Sequence, residues 1–146
     1  MSGIDKIFDL SGRVAVITGG AGLLGRQHAA VIAEAGGVTV IADLNDDSAQ
    51  RAAAELEANG TTAMGIRVDV TNKPDVDAMT AAVMRRFGRI DILVNNAAMT
   101  VKGGSESGGS YFAAFEDYPL ELWKQALNVN LTGAFLCSQA IGRFMV

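Results

Sequence analysis

Residues 13–25, RVAVITGGAGLLG, decide how this chain folds. Arg13 to Thr18 is a short β-branched run, and the glycines after it favour a strand over a helix. Gly20, Gly22 and Gly25 then fit G-x-G-x-x-G. Leu24, His28, Val31, Ile32 and Ala35 recur at helical spacing until Gly36-Gly37 stops the run. A strand, a glycine turn and a helix in that order let backbone N–H groups and the positive end of a helix approach a pyrophosphate. Asp43 closes the next apolar strand, 18 residues after Gly25. A carboxylate there accepts hydrogen bonds from the adenosine ribose hydroxyls and repels a 2′-phosphate. Alone the glycine motif is equally a turn that packs a helix on a sheet; its setting and Asp43 make it a dinucleotide signature.

Outward from this stretch the same alternation repeats. Val38 to Ala42 is a second strand. Asn45 to Asp47 cap a helix that turns Ala52, Ala53 and Leu56 inward and ends at Asn59-Gly60. Ala63 to Val70 is a third strand. Pro74 suits the first turn of a third helix, striped by Val76, Met79, Val83 and Phe87 and closed by Gly88. Ile90 to Val94 is a fourth strand. Nearly continuous apolar strands separated by helices mean a parallel sheet covered on both faces, and right-handed crossovers make it an α/β doubly wound sheet. Residues 100–118 break the pattern: KGGSESGGS (102–110) is low-complexity, and the stretch is expected to be a flexible loop insertion, either a lid or a disordered segment. Pro119 opens a final helix, expected to set Leu120, Trp123, Leu127, Ala134 and Ile141 on one broad face. The 146 residues are expected to form a single domain.

Composition excludes several function classes. With 49% hydrophobic and 19% charged residues the chain can bury a core and is not disordered. A net charge of −4 argues against a nucleic-acid partner. No apolar run approaches the ~18 residues that span a bilayer, and Asp5, Lys6 and Asp9 interrupt the start, unlike a signal peptide. A cytoplasmic protein fits these features. The single Cys137, among Phe135, Leu136 and Ala140, reads as a buried thiol, and no metal-ligand pattern is present. His28 reads as an ordinary helical histidine, and Arg85, Arg86 and Arg89 as charge favouring a helix C-terminus. Asn130 falls among apolar positions, so its amide either hydrogen-bonds locally and kinks the helix or holds a water.

Four motifs in order make the chain resemble a short-chain dehydrogenase/reductase over essentially its whole length. Thr18-Gly19 and Gly25 match the family's glycine motif. Asp69-Val70 is similar to the pair that contacts adenine, and Asn95-Asn96-Ala97-Ala98 to the NNAG segment. Asn128 to Gly133 (NVNLTG) resembles the segment bearing the catalytic asparagine, which would be Asn130. The resemblance implies a Rossmann-type NAD(P)-binding fold, with the first strand in the middle, the third on one side and the fourth on the other. It implies hydride transfer between a nicotinamide and a small secondary alcohol or ketone. Thr18, Gly19, Gly22, Leu24, Gly25, Asp43, Leu44, Asp69, Val70, Asn95 and Ala97 would hold the cofactor. NAD is expected over NADP, since neither Leu44 nor Asn45 offers a positive charge. The full-length form would be a homo-oligomer.

Three departures qualify the match. Leu23 stands where the usual second glycine would, and Gly22 shifts the spacing towards the family's sugar-nucleotide-modifying branch, so a nucleotide-sugar epimerase or dehydratase is an alternative. Ala98 replaces the glycine of NNAG. The family's serine and Tyr-x-x-x-Lys pair are missing: Phe115 follows Tyr111, and Leu122 follows Tyr118, at the lysine's place. The lysine lowers the tyrosine's pKa so that it exchanges a proton near neutrality. The chain is therefore expected to be truncated before the fifth strand and inactive alone, and a non-catalytic nucleotide-binding module is a further alternative.

Overall fold

A computed structural model describes residues 7–99 and 113–145. Four strands, β1 (Val14–Thr18), β2 (Val38–Asp43), β3 (Ala63–Arg67) and β4 (Ile92–Val94), form a wholly parallel sheet in the order β3-β2-β1-β4. β1 is central, as expected; β3 lies on one side of it with β2 between, and β4 on the other. The connections are α1 (Leu23–Glu34), α2 (Asp46–Ala58) and α3 (Lys73–Phe87). A 3₁₀ turn (Phe115–Asp117), α4 (Leu120–Leu127), a π-helical segment (Asn128–Gly133) and α5 (Ala134–Gly142) follow. Asn45 caps α2 by accepting from the Ser48 N–H, and Asn72 caps α3 from the Asp75 N–H. Gly88 ends α3 in the left-handed conformation (φ 73°) and donates its N–H to the Met84 carbonyl.

The sheet is covered on both faces. On one face Ile17 and Ile41 pack with Ala29 of α1 and Ala49, Ala52 and Ala53 of α2. On the other, Val16 and Val40 meet Val76, Met79 and Val83 of α3 and Cys137, Ala140 and Ile141 of α5. Each buried Val, Ile or Met among these stabilises the fold by roughly 1.5–3 kcal/mol, and each Ala by less. The chain leaves β1 towards β2 by one face and reaches β4 by the other, so the strand order reverses beside β1. That is the switch point where α/β sheets open a crevice at the strands' carboxyl ends.

Several expectations need correction. The β3 ladder stops at Arg67, three residues early, because Asp69 bends the chain by accepting from the N–H and hydroxyl of Thr71. β4 begins at Ile92, after Asp91 has turned its carboxylate to the Val14 N–H. The buried stripe of α1 is Gly25, Ala29 and Ala33; Leu24, His28 and Val31 are exposed, since close packing of this helix on the sheet selects small residues. On the last helix Leu120, Trp123 and Leu127 are exposed, since α4 buries no residue on any face, and Ile141 is buried beyond the π-helical segment that breaks the run. Of the expected loop, residues 100–112 lie outside the described residues, and 113–118 include the 3₁₀ turn.

Candidate functional site

The glycine turn, Asp43, Asp69-Val70 and Asn95–Ala97 all fall at the carboxyl ends of the four strands. The turn follows β1 directly. Gly19 takes the left-handed conformation (φ 61°), and a Cβ there would sit 2.8 Å from the Ala97 Cα, so two backbones meet where only glycine fits. A Cβ on Gly25 would sit 2.6 Å from the Gly20 Cα, which lets α1 start tightly against the turn. Gly22 has room by comparison; its nearest neighbour would be the Gly19 carbonyl at 3.2 Å. It is the N-cap of α1 and offers no capping side chain. The N–H groups of Leu23, Leu24 and Gly25 consequently have no acceptor among the described residues. They are the free amides of a helix N-terminus, the positive end of its dipole.

Asp43 stands beside this turn. Its Oδ2 accepts from the Ala21 N–H at 3.1 Å and its Oδ1 from the Asn45 N–H at 3.1 Å. Each oxygen keeps a second lone pair for an outside hydroxyl. Leu24 and Leu44 are largely exposed, two apolar side chains with nothing over them. The Thr71 hydroxyl, then the Thr71 N–H, hold the Asp69 carboxyl below the usual carboxylate range.

Two asparagines with separate tasks follow β4. Asn96 donates from Nδ2 to the carbonyls of Thr18 and Gly19, both at 3.0 Å, and its N–H reaches the Thr18 hydroxyl at 3.1 Å. The Ala97 N–H reaches the same hydroxyl, which itself donates to the Val94 carbonyl at 3.3 Å. Asn95 instead donates to the Ser138 hydroxyl of α5 at 3.1 Å. A narrow crevice lies between these groups, lined by Thr18, Val70, Asn95, Ala97, Val129 and Gly133. Asn130, in the π-helical segment, accepts the Met99 N–H at 2.7 Å on Oδ1, and its Nδ2 donates to the Met99 carbonyl at 3.5 Å. The helix is irregular at Asn130, but not through a local hydrogen bond of its amide. Its partner is the segment after β4 and not its own helix, and it is exposed rather than set on a buried apolar face.

The structure thus brings the predicted residues to one end of the sheet. Sequence reasoning missed the grip of Asn96 on the glycine turn and the partners Ser138 and Met99. It also missed Arg26, whose Nε donates to the Ala21 carbonyl at 3.1 Å. The only signal for Asn96 was the paired asparagines. Among the described residues no group of three or more His, Cys, Asp or Glu could hold a metal ion, and no helix is long and apolar enough to cross a membrane.

A family model described as short chain dehydrogenase matches residues 13–146. The chain is 39% identical to the (2S)-[(R)-hydroxy(phenyl)methyl]succinyl-CoA dehydrogenase subunit BbsD of Thauera aromatica, over 94% of this chain and 51% of that protein. It is 33% identical to the NAD-dependent glycerol dehydrogenase of Listeria innocua serovar 6a, over 99% of this chain and 52% of the other. A solved structure of NAD+-bound xylitol dehydrogenase superposes with a TM-score of 0.83 at 32% identity, over 93% of this chain and 49% of that one. The chain spans about half the length of these relatives.

Proposed function

Since this chain belongs to the short chain dehydrogenase family, we propose that it binds NAD across the carboxyl ends of β1 to β4 and forms the cofactor-holding part of an oxidoreductase acting on a secondary alcohol or ketone. The observation that carries the reading is the set of unpartnered amides at the start of α1, beside a carboxylate with lone pairs to spare. The residues fit the group. Gly19, Gly22 and Gly25 keep the turn free of side chains, and the Leu23 and Leu24 amides meet the pyrophosphate. Asp43 takes the ribose hydroxyls and, with Leu44, offers a 2′-phosphate no cation. Asp69 and Val70 flank the adenine, and Thr18, Asn95 and Ala97 line the floor of the crevice. When bound, the nicotinamide supplies the hydride acceptor or donor. Asn130 spends its side chain on Met99, so it acts by holding the segment after β4 against the helix and supports a proton relay from there. NAD in the names of the glycerol and xylitol dehydrogenases supports the cofactor choice.

Proton transfer to the substrate oxygen needs a group that these 146 residues do not contain, since neither Tyr111 nor Tyr118 has a lysine four places on. Residues 1–146 alone therefore bind cofactor without turnover. The whole protein is read as a cytoplasmic homo-oligomer with a small-molecule substrate and no nucleic-acid partner, the last supported by the net charge of −4. The test is a titration of the chain with NADH and NADPH, following the emission of the single tryptophan, Trp123, and of the cofactor. NADH binds more tightly, and Asp43→Ala narrows the gap by weakening NADH and relieving repulsion. Tighter NADPH binding refutes the NAD preference, and binding of neither refutes the cofactor reading itself.

A further inference from the structure

Arg26 lies one residue after Gly25, on the first turn of α1. Its Nε donates to the Ala21 carbonyl at 3.1 Å, and its Nη1 lies 2.5 Å from Glu55 Oε2 on α2. The N–H of the same Ala21 donates to Asp43 Oδ2. Asp43, Ala21, Arg26 and Glu55 thus form one chain of contacts from the end of β2, across the glycine turn, to α2. Its charges alternate: carboxylate, guanidinium, carboxylate. The guanidinium therefore stands one residue away from the acid that reads the ribose, and Glu55 engages it from the other side.

A guanidinium has five N–H donors, and Ala21 and Glu55 together take two of them. The geometry points to Glu55 as a specificity-determining residue that acts through Arg26: it holds the guanidinium along α2 and neutralises it, so no cation answers a 2′-phosphate beside Asp43. This rests on the cofactor reading of the preceding subsection. With Glu55 neutral, Arg26 keeps its bond to Ala21 and its charge becomes available to the phosphate. The side chains of Arg26 and Glu55 are 37% and 63% exposed, so water and salt screen the effect. Exposed ion pairs of this kind correspond to about two- to five-fold in a binding ratio.

The experiment measures NADH and NADPH dissociation constants for the 146-residue chain, for Glu55→Gln and for Arg26→Ala/Glu55→Gln, by cofactor fluorescence at low and high salt. The quantity read is the NADPH-to-NADH ratio, which cancels any general loosening of the turn. Glu55→Gln lowers that ratio about two- to five-fold at low salt and less at high salt, and adding Arg26→Ala restores it. An unchanged ratio in Glu55→Gln overturns the inference and leaves the cofactor reading standing. So does a lowered ratio that persists without Arg26, because Glu55 would then act directly. A wild-type chain that binds neither cofactor removes the cofactor reading and this inference with it.

Discussion

Replacing Gly25 by Ala puts a methyl carbon 2.6 Å from the Gly20 Cα and closer still to the Gly19 carbonyl oxygen. Two carbons pack at about 3.5 Å or more, so the turn must move by roughly 0.9 Å. Overpacking of this kind costs about 1–3 kcal/mol, and the better helix propensity of Ala returns about 1 kcal/mol of it. Stability should therefore fall by about 0–2 kcal/mol, which leaves the chain folded. Cofactor binding should suffer more. A shift of nearly 1 Å pulls the Leu23 and Leu24 amides out of register with Asp43, and a lost hydrogen bond to a charged group amounts to about 1.5–3 kcal/mol. NADH affinity should drop by roughly ten- to a hundred-fold. Gly142→Ala is the matched control, because a Cβ there meets nothing within 4 Å and the residue lies outside the cofactor site, and its affinity should stay within a few-fold. Urea unfolding and NADH fluorescence titrations on both variants decide the matter. Normal NADH affinity in Gly25→Ala, or equal damage from Gly142→Ala, would refute the steric argument.

Three further outcomes are expected. Asp91 accepts from Arg13 Nη1, the Val14 N–H and Arg89 Nε at 2.8–2.9 Å, tying the starts of β1 and β4 together; Asp91→Asn should cost about 2 kcal/mol in urea unfolding at pH 7. Arg89 foremost holds that carboxyl well below the usual range, so its stabilisation is complete above an unfolded pKa of ~3.9 and fades as pH falls through the acid region. The wild-type advantage should accordingly shrink at pH 3, and an undiminished advantage would contradict the linkage. Burial pushes the Cys137 thiol up to about 11, so iodoacetamide at neutral pH should leave it unmodified in the folded chain and alkylate it in urea, as read by intact mass. Among the described residues β4 pairs with β1 alone, and Leu120, Trp123, Leu131 and Phe135 are exposed; the 146-residue chain should self-associate in sedimentation and show no NADH absorbance change over a panel of alcohols and ketones. A well-behaved monomer would contradict the open-edge argument, and turnover would require a proton donor absent from the sequence.

What the sequence made legible follows from how local each feature is. Val14 to Ile17 and the glycine turn sit side by side in the chain, so strand, turn and helix could be read together, and Asp43 followed from its spacing. The helix cap at Asn45 was of the same local kind. The inward face of α1 was not, because Gly25, Ala29 and Ala33 carry little hydrophobic contrast while Leu24 and Val31 carry much. Which residues face the sheet was set by how closely the helix approaches it. Asn96 was harder still. Its bonds to Thr18 and Gly19 span 78 and 77 residues and exist because β4 lies beside β1. The amide of Asn130 left a local bond or a held water open, and Met99 as its partner required the fold.

The π-helical segment has a consequence for how the last helix responds to change. A regular helix turns about 100° per residue, and Asn128–Gly133 is wound wider than that, so α4 and α5 are out of phase with each other. Trp123 faces outward on α4, which buries no residue, while Ile141, which a straight helix would stack on the same line, is buried against the sheet. Substitution and deletion are therefore unlike perturbations here. A substitution between residues 128 and 133 alters one side chain. The loss of a single residue there lets the segment relax into an ordinary helix, in which five residues turn about as far as six do in the wider winding, so Cys137, Ala140 and Ile141 keep the face they now bury.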